Sequence, residues 1–108
     1  MANRLFDLSG QVALITGSSR GIGKAIAEEM SAAGAKVVIS SRKKEACDQV
    51  RDEIRARGAE AISIACNIGR KEEVEALVKT TLDQYGRIDI LVCNAAVNPF
   101  SRAPARWH

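Results

Sequence analysis

Aromatic side chains are scarce in this sequence of 108 residues, which has one tryptophan, one tyrosine and two phenylalanines. So few π faces leave little on which nucleic-acid bases could stack. The 16 basic residues are interleaved with 13 acidic ones, and a net charge of +3 is no basic stripe, so a nucleic-acid partner is not expected. No apolar run approaches the ~18 residues of a membrane span. Met1–Gly10 lacks the apolar stretch of a secretory leader, so a soluble, cytoplasmic chain without membrane partners is expected. The three cysteines, Cys47, Cys66 and Cys93, are odd in number, and no pair has metal-ligand spacing. They read as free thiols in a reducing compartment, and no metal site is expected. Cys66 and Cys93 end apolar runs and are expected in the core. The single histidine, His108, and the single tryptophan, Trp107, carry no catalytic expectation.

What is present is a regular alternation of short apolar runs and helical periods. A chain of this length holds one domain at most, and 46% apolar with 27% charged residues is ordinary for a globular protein. Strands are expected at Val12–Thr16, Val37–Ser41, Ala61–Cys66 and Ile88–Cys93. Helices are expected at Gly21–Ala33, with Ile22, Ile26, Met30 and Ala33 on one face, and at Lys44–Arg57, with Ala46, Val50 and Ile54 in a stripe. A third helix, Arg70–Tyr85, is expected to place Val74, Leu77, Val78, Leu82 and Tyr85 on one face. Gly34, Gly58 and Gly86 follow these helices as stop signals. Continuously apolar strands are buried on both faces, as in parallel sheets covered by helices. The expected fold is α/β: a Rossmann-type parallel sheet in the order 3-2-1-4 with flanking helices, the first half of a doubly wound fold.

The stretch with the most chemical content is Thr16-Gly17-Ser18-Ser19-Arg20-Gly21-Ile22-Gly23, set between the first strand and the first helix. Such a turn lets backbone approach a pyrophosphate, and the helix N-terminus offers free N–H donors and positive dipole. It is not a nucleoside-triphosphate P-loop. Gly17 and Gly23 enclose five residues rather than four, and Ala25 stands where a magnesium-binding Ser or Thr is required. The plain alternative is a glycine turn that only closes strand–helix packing. Ser41, at the end of the second strand, stands 18 residues past Gly23, where an NAD site carries an acid for the adenosine ribose. Serine and Arg42 occupy that place. The missing carboxylate removes repulsion of a 2′-phosphate, Arg42 can grip one bidentately, and Arg20 can approach from the loop. NADP(H) is therefore expected over NAD(H). Arg42-Lys43-Lys44 also reads as a solvated helix start, although cations there oppose the helix dipole.

The T-G-x-x-x-G-x-G spacing resembles the coenzyme loop of the short-chain dehydrogenase/reductase family. Cys93-Asn94-Ala95-Ala96 resembles that family's N-N-A-G element, matching at Asn94 and Ala95 and departing at Cys93 and Ala96. Gly86-Arg87-Ile88-Asp89 fits its Gly-x-Ile/Leu-Asp approach to the fourth strand, where Asp89 reads as structural. Asn94-Ala95-Ala96-Val97-Asn98-Pro99 is similar to the NADP-dependent carbonyl and retinal reductase branch. The resemblance implies a nicotinamide dinucleotide held by Gly17, Ser19, Arg20, Gly21, Ile22, Gly23, Ser41, Arg42, Asn67, Ile68, Asn94, Ala95 and Ala96. Asn67 stands where the family often has an Asp that meets the adenine amino group, and its amide oxygen can still accept that bond. A turn or helix-start Asn is the plain reading at 67.

The resemblance runs from Leu8 to Pro99, so residues 1–99 are expected to form part of an NADP(H)-binding domain, with 100–108 an irregular tail outside the pattern. The family's chemistry uses a Ser and a Tyr-x-x-x-Lys pair in its second half, and the lone tyrosine here, Tyr85, has Asp89 rather than Lys four residues on. The expected function is the coenzyme-binding portion of an oxidoreductase that moves hydride between NADP(H) and a carbonyl or secondary alcohol, with no active-site residues in this chain. A non-catalytic dinucleotide-binding or regulatory module and a non-functional truncated product stay open, and loss of the pattern after Pro99 would suit a frameshift. A bare apolar sheet face and an unpaired fourth strand are expected to favour self-association.

Overall fold

The computed structural model describes residues 7–94. Four strands alternate with three helices: β1 (Val12–Thr16), α1 (Gly21–Ala32), β2 (Lys36–Ser41), α2 (Lys44–Ala56), β3 (Ala61–Ala65), α3 (Lys71–Tyr85) and β4 (Ile90–Cys93). The strands form one parallel sheet in the order β3-β2-β1-β4. The Rossmann-type topology expected from the alternation is the one observed. Strand β1 is central and buried along its whole length, as its unbroken apolar run requires.

Alternate side chains of β1 and β2 feed two cores. Ala13, Ile15, Val37 and Ile39 point to the face covered by α1 and α2, where they meet Ala27, Cys47, Val50 and Ile54. Burying a branched aliphatic such as Ile54 contributes about 1.5–3 kcal/mol. On the opposite face Leu14, Val38 and Cys66 meet Leu77 of α3, with Val74 and Tyr85 packed alongside. This second core stops short of β4. Leu91 is 61% exposed there, and Val78 and Leu82 of α3 are exposed too.

Three expectations need correction. Ile22 is 71% exposed, and the residues α1 buries are Gly23, Ala27 and Ser31, with Ile26 and Met30 only packed against the core margin. Helix α1 lies too close to the glycine loop for large side chains, so the small ones face inward. On α3 the buried pair is Leu77 and Thr81, because Val78 and Leu82 sit beyond the edge of the sheet surface that α3 covers. Cys93 is exposed rather than core, since it shares the uncovered face with Leu91.

The sheet is pinned at both ends of the β1–β4 pair. At the strand starts the Val12 N–H donates to Asp89 Oδ2 (2.8 Å), and the Asp89 N–H donates to the Val12 carbonyl (2.9 Å). Arg87 donates to both oxygens of the same carboxylate. The Arg87 guanidinium and the Val12 N–H hold the Asp89 carboxyl below the usual carboxylate range. At the strand ends the Asn94 N–H donates to Thr16 Oγ1 (3.1 Å). The carboxyl ends of all four strands therefore come together at one edge, where doubly wound folds place their ligand crevice.

Candidate functional site

The crevice is built around the turn from β1 to α1. Gly17 and Gly21 have φ of 65° and 64°, a region that side chains with a Cβ seldom occupy. Gly23 is constrained differently, by space. A Cβ there would lie 2.2 Å from the Gly17 carbonyl oxygen and 2.7 Å from Asn94 Nδ2. Helix α1 thus packs backbone against backbone on the loop. Ser18, fully buried, anchors that loop to β2: its Oγ donates to the Ile15 carbonyl (2.7 Å) and accepts the Ser40 N–H (2.9 Å), while its own N–H donates to the Ser40 carbonyl (3.0 Å). Asn94 closes the far side by donating Nδ2 to the Gly17 carbonyl (3.3 Å).

The result is a helix N-terminus held open. No side chain caps α1 at Arg20, and its first turn carries no acidic residue. The orphan N–H groups and the positive end of the dipole face the crevice uncompensated.

Gly17, Ser19, Arg20, Gly21, Ile22, Ser41, Arg42, Asn67, Ile68 and Asn94 line a cleft of about 550 Å³. Gly23 lies behind the loop as its packing partner. Ala95 and Ala96 lie outside the described residues. Lys43 and Cys66 complete the lining, and neither was a candidate from sequence. Lys43 belongs to a basic run that reads equally as a helix start, and Cys66 as a core residue. The rule that ligands sit at carboxyl ends of strands would have pointed to both.

Charge in the cleft is one-sided. Among the described residues Arg20, Arg42 and Lys43 have no ion-pair partner, whereas Lys24 pairs with Glu53 (3.3 Å) and Lys44 with Asp48 (2.8 Å). Ser41 is engaged within its own turn: its Oγ accepts the Lys43 N–H (3.1 Å) and lies 3.1 Å from Cys47 Sγ. Burial pushes the Cys66 thiol pKa up, helped by the Glu73 charge, so at neutral pH it is an uncharged wall rather than a thiolate. Among the described residues no group of His, Cys, Asp or Glu could hold a metal ion. Tyr85 sits far from the cleft, with Lys36 Nζ 5.4 Å from its ring centroid near the start of β2, and burial raises its phenol pKa.

Uncapped helix donors, unpaired guanidinium groups and glycine-permitted close approach together fit a phosphate-bearing ligand. The model of the family described as "short chain dehydrogenase" matches residues 11–106. The chain belongs to the short-chain dehydrogenase family. It is 50% identical over 91 residues to a 3-oxoacyl-[acyl-carrier-protein] reductase of Synechocystis, a match covering 83% of this chain and 37% of that protein. It is 47% identical over 93 residues to dehydrogenase/reductase SDR family member 4 of Oryctolagus cuniculus, covering 86% of this chain and 36% of that one. Among solved structures, a metagenomic short-chain oxidoreductase in complex with NADP superposes with a TM-score of 0.80 at 47% identity, over 83% of this chain and 41% of the other. A hydroxysteroid dehydrogenase from Escherichia coli superposes with a TM-score of 0.83 at 41% identity, over 84% of this chain and 39% of that structure. This short-chain dehydrogenase chain thus spans little more than a third of the curated relatives it matches. The match lies on the nucleotide-binding Rossmann portion of an oxidoreductase family. Among the described residues no helix is long and apolar enough to cross a membrane.

Proposed function

We propose that the cleft binds a nicotinamide dinucleotide, NADP(H) in preference to NAD(H), as the coenzyme portion of an oxidoreductase acting on a carbonyl or secondary alcohol. The observation that carries this reading is the pair of arginines, Arg20 and Arg42, unpaired among the described residues around the end of β2, a strand end without a carboxylate. Such a site repels no 2′-phosphate and supplies two guanidinium forks for it. The pyrophosphate belongs over the loop Gly17, Ser19, Arg20, Gly21, Ile22 and Gly23. The phosphorylated ribose belongs at Ser41 and Arg42, the adenine at Asn67 and Ile68, and the nicotinamide side along Asn94, Ala95 and Ala96. The NADP complex of the metagenomic relative supports the same choice of coenzyme.

When bound, the nicotinamide supplies or accepts hydride. The residues of this chain bind and orient it: the loop backbone holds phosphate, and Asn94 ties β4 to the loop.

Fluorescence titration of the chain with NADPH and NADH tests the proposal. A charge-assisted contact of about 1.5–3 kcal/mol predicts NADPH binding at least about tenfold tighter, with Arg42→Ala bringing the two within a few-fold. Equal affinities in the unaltered chain would refute the preference, and no saturation with either would refute the site.

The uncovered face around Leu91, Leu82 and Val78 is also assigned to self-association. Sedimentation velocity is expected to show mass rising with concentration, and a strictly monomeric chain at every concentration would contradict it.

A further inference from the structure

Strand β2 turns into α2 through Arg42 and Lys43, and the contacts of that turn form a closed circuit. Ser41 Oγ accepts the Lys43 N–H (3.1 Å), so this bond spans Arg42 and ties the backbone on both sides of it. The Lys43 carbonyl accepts the Cys47 N–H (3.0 Å) at the start of α2. The Cys47 thiol closes the circuit, with Sγ 3.1 Å from Ser41 Oγ. The Ser41 carbonyl accepts the Cys66 N–H (2.8 Å), which fastens the same residue to the end of β3.

Arg42 itself has no such support. Among the described residues it makes no hydrogen bond and no ion pair, so its neighbours hold its backbone in place. The Ser41 hydroxyl has one hydrogen and two lone pairs. The Lys43 N–H takes one lone pair, and the thiol takes either the other pair or the hydrogen. Two of the three are thus spent on the turn. Cys47 is fully buried in the core with Ile39 and Val50, so the hydroxyl is anchored from the core side. Cys47 is not among the residues that line the cleft, whereas Ser41 and Arg42 are.

We infer that Ser41 sets coenzyme choice as a positioning residue: with Cys47 behind it, it holds the turn that presents the Arg42 guanidinium to a 2′-phosphate. A long side chain on an unheld turn has to be ordered when the phosphate arrives, and that cost falls on NADPH. NADH carries no 2′-phosphate and calls on no such ordering. The thiol acts through Ser41, one residue removed from the ligand.

This inference rests on the dinucleotide reading above, and the test separates the two. Nicotinamide fluorescence gives Kd values for NADPH and NADH, without turnover, on the full chain and its variants. Cys47→Ala is expected to lower the NADPH preference about fivefold, as Ser41→Ala does, with the NADH Kd within about twofold of the unaltered chain. Cys47→Ser keeps a hydrogen-bonding atom beside Ser41 and is expected to hold the preference within about twofold. In an Arg42→Ala background, Ser41→Ala is expected to move the preference by less than about twofold, because the group it positions is gone. Full preference in Cys47→Ala beside its loss in Ser41→Ala would make Ser41 a direct phosphate contact and overturn the inference. Equal weakening of both coenzymes by Cys47→Ala would overturn it too, as a merely structural effect. An undiminished Ser41→Ala effect in the Arg42→Ala background also overturns it, and that arm decides the matter if Cys47→Ala does not fold. If the unaltered chain saturates with neither coenzyme or prefers neither, the dinucleotide reading falls and this inference with it.

Discussion

Two clefts of nearly equal size sit at opposite ends of the sheet, about 550 Å³ at the carboxyl ends of the strands and about 520 Å³ at the other end. Volume does not distinguish them, but their donors do. The second cleft is lined by the end of α1 and by residues that follow α1 and α2, among them Gly34, Lys36, Arg57 and Glu60. Helix carbonyl ends and the negative pole of the dipole face it, which disfavours phosphate. Its cations are already matched, Arg57 with Glu28 (3.8 Å) and Lys36 with Glu60 (3.6 Å). The first cleft has a helix N-terminus with no cap and arginines unpaired among the described residues. A concavity becomes a candidate phosphate site through donors and cations the fold leaves unanswered, and among the described residues the carboxyl end of the sheet has them.

The contrast can be broken most forcefully at Gly23. Gly23→Ala drives a methyl group into backbone at 2.2 Å, and neither the loop nor α1 can yield by a side-chain rotation. Urea denaturation is expected to show a loss of about 3 kcal/mol or more, at or beyond the upper end of overpacking costs. A near-neutral result would mean that the loop and helix are not closely packed.

A smaller effect sharpens the same point at the loop's anchor. Ser18→Ala leaves the buried Ser40 N–H without its acceptor and should cost about 1–3 kcal/mol. Ser40 Oγ, in contrast, is buried with no partner among the described residues. Ser40→Ala therefore removes a hydroxyl that forms no bond among the described residues, and its unfolding free energy from urea denaturation is expected to change by no more than about 0.5 kcal/mol. Equal losses in the two variants would show that Ser18 does not hold the loop.

Much of this molecule was legible before any coordinates. The strand and helix runs were marked by apolar blocks and closing glycines, and observed ends differ from expected ones by two residues at most, at the start of β4. The 3-2-1-4 order followed from handedness rules once the alternation was recognised. The glycine loop was legible because its spacing encodes backbone geometry. What escaped was three-dimensional. Periodicity assigned Ile22 to the buried side of α1 because it weighs hydrophobicity, whereas the contact with Gly17 demands the smallest residue. Cys93 looked buried because its strand is apolar, but burial also depends on what covers the strand. Ser18 occupied an unspecified position in the motif, and its bonds to β2 are visible only when strand neighbours are known. The turn that holds Arg42 likewise depends on where the Lys43 N–H points.

The most direct test of the central claim is amide-shift mapping by nuclear magnetic resonance on the nitrogen-labelled chain titrated with NADP+. Saturable shifts are predicted at Gly17–Gly23, Arg42, Asn67, Ile68 and Asn94, with Glu28, Lys36 and Arg57–Glu60 unmoved. Shifts centred on the second cleft, or none that saturate, would contradict the account.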